Sequence, residues 1–440
     1  EVFISSGIIC CRNCIRINRY SNEHMDRSLF IEQKDYGIGG SFMKRYWKVI
    51  ILPIFIIITF GVLYVHHAIA KNGLPEFELV TVEGDKKIGE QLMIYGDYHT
   101  NNDSMWHSFR LTADGIVYQR DLNFFEQYNN FFESNVIQKL IEEDSGFMRG
   151  KTEESNLFVD TDKQLAYVGP DFIHNQMEVD VQNKESGDRT SFRLDIPERS
   201  KYLQIYVEEV QMIEDTLYAV TINYFGENKD VMIYEISIDE EKIIDHYPLM
   251  ELPFLDSVNV LSNDTDIGQK EQIVVSVDHI EVTSDGHHLA ESEYFTYHFE
   301  TKESKPITFP DDFTDKPEDP FGAEDYLSQG HIVTGKDNLY FINFTPDGLT
   351  YYVYDLVQHK FEEEESITLG TSVLEGLYGI YPEGDSLYLY SQVNENGIQF
   401  RKVFMVDLVN AENLYEGEIR MVDGDETNVY GLEIFRIQER

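Results

Sequence analysis

Cysteine is almost missing from this 440-residue chain. Only Cys10, Cys11 and Cys14 occur, all near the front. The remainder therefore carries no disulfide framework and no thiol nucleophile. Positive charge is scarce too: 35 Lys and Arg stand against 80 Asp and Glu, a net charge of −45. That excludes a nucleic-acid partner bound by phosphate neutralisation, because no basic stripe is available. Catalytic signatures are also lacking. There is no His-Glu-x-x-His zinc motif and no Gly-x-Ser-x-Gly elbow. The run Gly330-His331-Ile332-Val333-Thr334-Gly335-Lys336 has P-loop spacing, but Asp337 follows where a hydroxyl should hold Mg²⁺. Its surroundings read strand-turn-strand rather than strand-loop-helix, which excludes it. Cys10-Cys11-x-x-Cys14 is half a metal site without a second half.

Apolar matter is plentiful. Hydrophobic residues make up 42% of the chain, with 28 Tyr and 28 Phe. That suffices for a sizeable core and excludes bulk disorder.

The front of the chain reads as a membrane segment. Residues 1–42 carry five basic and five acidic residues without periodicity. They are expected to be a doubtful leader or a disordered tail, with Met43 as the native start. The preceding Gly39-Gly40 pair can be encoded by a ribosome-binding sequence. Residues 43–72 are expected to be an anchor or a signal peptide. The uncharged run Val49–Val65 is built from Val49, Ile50, Ile51, Leu52, Ile54, Phe55, Ile56, Ile57, Ile58, Phe60, Val62 and Leu63 around Pro53. Its length is at the short end of the roughly 17–25 residues of a membrane helix. Lys44, Arg45 and Lys48 precede it and put that side in the cytoplasm. Trp47 and Tyr64 sit where interfacial aromatics belong. Ala68-Ile69-Ala70 has the small-x-small pattern of signal-peptidase cleavage. The two readings are a single-pass anchor and a secreted chain cut after Ala70. A run longer than an ordinary signal core favours the anchor. Either way, everything beyond about residue 72 is expected outside the cytoplasm. Residues 73–440 hold 26 basic and 75 acidic residues, net −49, and no Cys. This suits a bacterial surface protein that does not rely on disulfides.

The exported part repeats one unit: a turn, an apolar strand with Leu-Tyr, a Gly-bearing turn, and a second strand. Asp215-Thr216-Leu217-Tyr218, Asp337-Asn338-Leu339-Tyr340 and Asp385-Ser386-Leu387-Tyr388 open three copies. Gly226-Glu227-Asn228, Pro346-Asp347-Gly348 and Asn396-Gly397 turn them. Looser copies start at Leu165-Ala166-Tyr167, which runs through Ser186-Gly187-Asp188, and at Ile273-Val274-Val275. A front copy starts at Leu92-Met93-Ile94-Tyr95. Asp-Gly and Asn-Gly supply the positive φ of tight hairpins, and β-branched and aromatic residues suit half-buried strands. Repeats of roughly 40–50 residues are the size of four-stranded propeller blades.

The chain thus resembles bacterial membrane-anchored extracytoplasmic β-propeller-like proteins, at the level of fold alone. The resemblance implies a mainly β fold with six or seven blades over residues 73–440, one helical insertion and one N-terminal transmembrane helix. The last strand, Val429–Ile437, would close the ring onto the first blade. Two stacked β-sandwiches are the alternative. Two segments break the repeat. Residues 123–143 read as a helix with Phe124, Phe125, Tyr128, Phe131 and Phe132 on one face. Residues 302–329, with four Pro and eight acidic residues, read as a surface loop.

Metal and acid-base chemistry find little support. Asp278-His279, Glu281, Asp285 and His287-His288 are dense, but strand alternation sends Asp278 and His279 to opposite faces. Asp264/Asp266 and Asp423/Asp425/Glu426 suggest Ca²⁺, yet Val275 and Ile434 stand where an EF-hand closes with Glu. A weak Ca²⁺ site in the acidic loops is the remaining metal reading, and no cofactor is expected. The first functional expectation is a non-enzymatic extracytoplasmic binding module. It would be held to membrane lipid by its N-terminal helix and partnered by an envelope protein or surface ligand. The alternatives are a glycan-acting hydrolase or lyase with axial carboxylates, and a Ca²⁺-dependent surface module.

Overall fold

The computed structural model describes residues 54–62, 74–99, 106–122, 135–171, 175–261, 266–283, 286–310, 331–345, 348–362, 364–370, 376–395, 398–422 and 431–440. The chain divides into two compact units, Glu1–Ala70 and Lys71–Arg440. In the first, residues 54–62 are helical. Ile54, Phe55, Ile56, Ile57, Ile58, Phe60 and Val62 are exposed there. No helix among the described residues is long and apolar enough to cross a membrane. Val49, Ile50, Ile51, Leu52, Leu63, Lys44, Arg45, Lys48, Ala68 and Ala70 lie outside the described residues.

The second unit is mainly β. It opens with β1 (Phe77–Gly84) and helix α1 (Lys86–Gln91). Sheet I follows with β2 (Leu92–Tyr98), β3 (His107–Thr112) and β4 (Gly115–Tyr118). Helices α2 (Asn135–Glu143) and α3 (Ser145–Met148) lead to sheet II: β5 (Phe158–Asp160), β6 (Gln164–Asp171), β7 (Gln176–Asn183) and β8 (Arg189–Asp195). Sheet III is β9 (Gln204–Ile213), β10 (Thr216–Phe225), β11 (Asn228–Ser237) and β12 (Lys242–Pro253). Sheet IV is β13 (Ser257–Val260), β14 (Gln272–Thr283), β15 (Gly286–His298) and β16 (Glu303–Pro306). Sheet V is β17 (His331–Thr334), β18 (Asn338–Thr345), β19 (Gly348–Asp355) and a split outer strand, β20 (Lys360–Phe361) and β21 (Glu365–Thr368). Sheet VI is β22 (Leu377–Glu383), β23 (Ser386–Glu395), β24 (Ile398–Asp407) and β25 (Glu412–Met421). The chain ends with β26 (Leu432–Glu439).

Each sheet is an antiparallel meander of strands here lettered A to D. Both chain ends add to sheets begun elsewhere. β26 pairs with β2 and supplies strand A of sheet I, while β1 pairs with the outer edge of β25 in sheet VI. Among the described residues, six separate four- or five-stranded sheets are not the two sandwiches of the alternative reading.

The Leu-Tyr landmarks explain this regularity. Leu217-Tyr218, Leu339-Tyr340 and Leu387-Tyr388 all lie on strand B of their sheets, as do the looser copies on β2, β6 and β14. Strand B is flanked on both edges and covered on both faces, so it needs the most apolar residues. Apolar clusters join II to III, III to IV, IV to V, V to VI and VI to I. Tyrosine hydroxyls tie the same seams. Tyr340 donates to Asp385 at 2.8 Å and Tyr351 to the Leu408 carbonyl at 2.7 Å. Tyr388 donates to Glu439 at 3.1 Å and Tyr381 to the Ile434 carbonyl at 2.6 Å.

Three sequence readings need correction. The Leu165 copy does not turn first at Ser186-Gly187-Asp188. Strand β7 intervenes, and its polar-rich sequence QMEVDVQN hides it. The segment 302–329 is not all loop, since Glu303–Pro306 pairs with Phe295–His298. In the segment 123–143 the described helix covers Asn135–Glu143 only, and the Phe-rich half lies outside the described residues.

The closing seam carries a titratable group. The Glu439 amide donates to the Glu383 carboxylate at 2.8 Å. Burial above all, helped by the Glu439 charge, outweighs that hydrogen bond and Arg436 and holds the Glu383 carboxyl up at about 7. A folded value above the unfolded one contributes stability that is complete at acid pH. That contribution is lost as pH rises through about 7. Glu383→Gln should therefore gain on the parent between pH 5 and pH 8 by up to about 3 kcal/mol. Urea melts of both chains across that range check this, and a constant gap would refute it.

Candidate functional site

The meander gives each sheet two distinct ends. A→B and C→D turns fall at one end, B→C turns and D→A connections at the other. Shared contacts show that neighbouring sheets point the same way. The A→B turn of sheet VI meets that of sheet V through Asp385 and Tyr340. Gln272, opening strand B of sheet IV, donates to Leu356 after strand C of sheet V. The connections between sheets, residues 119–157 and 307–330 included, therefore leave from the D→A end, whereas residues 261–271 join strands A and B of sheet IV at the other end.

The A→B end is polar where sheets II, III and IV meet. Residues 266–270 of sheet IV reach across sheet III to sheet II. Lys270 N–H donates to Gln211, and Asp160 N–H donates to the Ile267 carbonyl at 2.7 Å. Beside this strap lies an open cleft of about 940 Å³ walled by Asp160, Asp162, Lys163, Lys184, Glu214 and Asp215. Its lining is mainly polar, with Met212 the one large apolar side chain, unlike the apolar walls of a usual ligand pocket.

The D→A end is different. Five aromatic side chains of this unit are exposed among the described residues: Trp106, Tyr206, Phe254, Tyr378 and Phe435. The first four sit at or next to B→C or D→A connections. Trp106 packs on His99, ring centroids 4.4 Å apart. Leu203 (72% exposed) and Leu255 (48%) extend the same surface. Toward the opposite end the exposed apolar residues, among those described, are Val82, Ile244, Val357 and Val409, none of them aromatic.

The densest part of this surface spans sheets II to IV. A cleft of about 240 Å³ opens between sheets II and III, with Pro170, Met177, Ile196, Leu203, Ile205 and Tyr206 on its walls. Polar groups of the lining have partners. Asp171 pairs with Arg193 at 2.9 Å, and Arg199 donates to Asn175 at 2.9 Å. From the cleft the rings step outward. Tyr206 meets Tyr224 edge-on at 5.9 Å, and Tyr224 meets Phe254 at 5.7 Å. Carboxylates border the strip. Burial, then Glu154, raises the Glu208 carboxyl above the usual carboxylate range. Asn156 donates to the Val207 and Glu208 carbonyls and holds this edge of β9.

The exposed pair Phe254-Leu255 is fixed from below. The buried Lys229 ammonium donates to the Phe254 carbonyl at 3.5 Å and, closely, to that of Asp256. Burial pulls its pKa below the usual lysine value. Asp256 accepts from the Ile280 amide at 3.1 Å and from His279 at 2.8 Å. All polar groups of this hook face inward, so two large apolar side chains face water. Lys229→Ala leaves the buried Asp256 carbonyl, and the half-buried Phe254 carbonyl, without this donor, a cost of roughly 1–3 kcal/mol. A urea midpoint unchanged from the parent would contradict that.

The metal candidates suggested by the amino-acid pattern disperse. Asp278 accepts from Ser292 at 2.6 Å, on the other side of β14 from the His279–Asp256 pair. Asp266 accepts from its own loop at Gly268. Asp285, Asp264, Asp423, Asp425 and Glu426 lie outside the described residues, as do the side chains of His287 and His288. Among the described residues, no group of three or more His, Cys, Asp or Glu could hold a metal ion. The aromatic strip went unread in the sequence. Its members come from four chain segments, and nothing local separates them from the buried Tyr and Phe of the strands.

No family model matches the chain, and no curated protein does. Solved structures do match. TolB from Acinetobacter baumannii is 10% identical over 77% of this chain and 65% of its own, with a TM-score of 0.28. The β-propeller domain of the Trilobed protease from Pyrococcus furiosus has an open velcro topology. It is 12% identical over 74% of this chain and 94% of its own, TM-score 0.27. An uncharacterized Listeria monocytogenes protein is 10% identical over 61% of this chain and 85% of its own, TM-score 0.27. The chain spans about two thirds of the TolB length. At these TM-scores the propeller-like fold rests on the sheet order described above.

Proposed function

We propose that this chain is a non-enzymatic binding module: a six-bladed propeller held at a membrane, with its D→A end as the recognition face. One observation carries the reading. Among the described residues, four of the five exposed aromatic side chains gather at one end of the sheets, while the other end shows only aliphatic ones, Val82, Ile244, Val357 and Val409. Large apolar groups held in water mark interaction sites, and aromatic residues dominate the energetics of such sites. The buried Lys229 hook supports it, because stability is spent to keep Phe254 and Leu255 outside. The run Val49–Val65 supports the membrane part by length and charge flanks. The excess of carboxylates in residues 73–440 supports an outward-facing, well-solvated surface.

Two measurements test this. Carbonate extraction should leave the full chain in the membrane fraction, and protease shaving of intact cells should digest its β unit. Replacing Trp106, Tyr206, Phe254 and Tyr378 together by Ser should abolish the crosslinked complex on intact cells, whereas Val357→Ser with Val409→Ser should keep it. The reverse pattern refutes the assignment of the face.

A glycan-acting hydrolase or lyase is the second reading, favoured by Glu208. A carboxyl held high beside a second carboxylate and aromatic rings is what glycoside cleavage uses. Turnover of a labelled polysaccharide, lost in Glu208→Gln, would establish it in place of the first.

A further inference from the structure

We infer, resting on the recognition face proposed above, that the strip across sheet III takes an extended peptide segment of a partner protein, with apolar anchors flanked by Lys or Arg. Size points to an anchor side chain. The cleft of about 240 Å³ between sheets II and III is below the roughly 300–1,000 Å³ of small-molecule pockets. Its walls are mainly aliphatic: Pro170, Met177, Ile196, Leu203 and Ile205. A sugar prefers flat aromatic walls and many hydrogen-bonding groups. Here the Asp171 and Arg199 side chains are engaged with Arg193 and Asn175.

Length points to a chain segment rather than a compact ligand. The strip runs from the cleft past Tyr206 and Tyr224 to Phe254 and Leu255, in ring steps of 5.9 and 5.7 Å. It crosses the whole D→A end of sheet III and reaches sheet IV. Several separated anchors along one line are how a peptide is read.

Charge decides the flanks. Glu208 stands on β9 beside Tyr206, with Glu154 close enough to act on its charge. Glu227 and Glu251 lie at the β10–β11 turn and on β12, next to Phe254. The basic groups of this surface are engaged, Arg193 with Asp171, Lys201 with Asp230 and Arg199 with Asn175. Burial, and then the Glu154 charge, already disfavour the charge on Glu208. A cation between them relieves that repulsion, and an anionic ligand adds to it. With residues 73–440 at net −49, steering toward a cationic segment acts at long range as well.

The test uses the full chain in detergent and three labelled 12-residue peptides. All carry the same Leu and Phe anchors, with Lys, Glu or Ser between them. Fluorescence anisotropy should show the Lys peptide at least tenfold tighter than the Glu peptide, weakening as salt rises. Tyr206→Ser, Phe254→Ser and the highly exposed Leu203→Ser should each weaken it several-fold, and Val357→Ser should not. Near-UV circular dichroism confirms that each variant is folded, and Leu203→Ser has no core contact to lose. Equal affinity for Lys and Glu peptides overturns the inference. So does binding that none of the three strip variants weakens. Binding of a neutral oligosaccharide, weakened by the strip variants while no peptide binds, overturns the peptide but leaves the recognition face. Loss in Val357→Ser alone overturns both.

Discussion

Asp180→Ala is expected to destabilise the β unit by about 3–5 kcal/mol. Asp180 on β7 and the Lys151 side chain are each only 2% exposed, at 2.6 Å. Arg189 adds a two-pronged pair to the same carboxylate at 3.1 and 2.7 Å. Both cations also bind carbonyls of the α3 segment, Lys151 that of Phe147 and Arg189 that of Gly146. The Lys151 ammonium lies over the Phe147 ring at 4.2 Å. This clamp fastens the helical connection between sheets I and II to the outer strands of sheet II. Removing Asp180 leaves a buried ammonium without its counter-charge, which is why the cost is large. An exposed pair such as Lys86–Glu90 should contribute only about 0.5 kcal/mol or less. The pH dependence has a definite sign. Burial opposes ionisation of Asp180, but hydrogen bonds from Arg189 and Lys151 outweigh it and hold the carboxyl below its usual range. The clamp is therefore complete above the unfolded value near 4 and is lost as pH falls. Glu383 acts in the opposite direction. Urea melts of the parent and Asp180→Ala at pH 7 check the magnitude, and a difference under 1 kcal/mol would sink the clamp.

Removal of residues 431–440 is expected to abolish cooperative folding of the whole β unit. β26 gives sheet I its edge strand A and places Leu432, Ile434 and Ile437, all buried, in the cluster between sheets VI and I. Three such side chains contribute about 5–9 kcal/mol of burial. That is comparable with the roughly 5–15 kcal/mol by which a folded domain is stable. The truncation also bares the edge of β2, which invites association with other chains. The truncated chain should lose its sharp thermal transition and elute as aggregate. A synthetic peptide of residues 431–440 should restore part of the transition. A truncated monomer that melts within a few degrees of the parent would show that β26 closes nothing.

How much of this was legible in the sequence follows from where each strand lies. Strand B of every sheet announces itself, because a strand covered on both faces needs Leu, Tyr, Val and Ile in succession. The outer strands do not. β16 (ESKP) is wholly exposed and has no apolar pattern, and β8 (RTSFRLD) has little. Hence the repeat was readable, whereas the split outer strand of sheet V and the pairing of β16 were not. The closing strand was readable because VYGLEIFRI alternates. The addition of β1 to sheet VI was not, since edge pairing is chosen by tertiary position rather than composition. The aromatic strip was the least legible part. Met177, Leu203, Tyr206 and Phe254 are ordinary strand or turn residues in isolation. Only the fold shows that Lys229 and Asp256, by satisfying the backbone of one tight connection, turn Phe254 and Leu255 outward.

The most direct test of the account is a photo-crosslinking amino acid placed at two positions of the full chain in living cells. At Phe254, on the D→A end, irradiation should yield one discrete protein adduct. That adduct should vanish when Tyr206→Ser and Leu203→Ser are added. At Val357, on the A→B end, no adduct should form. A discrete adduct from Val357 with none from Phe254 would contradict the account.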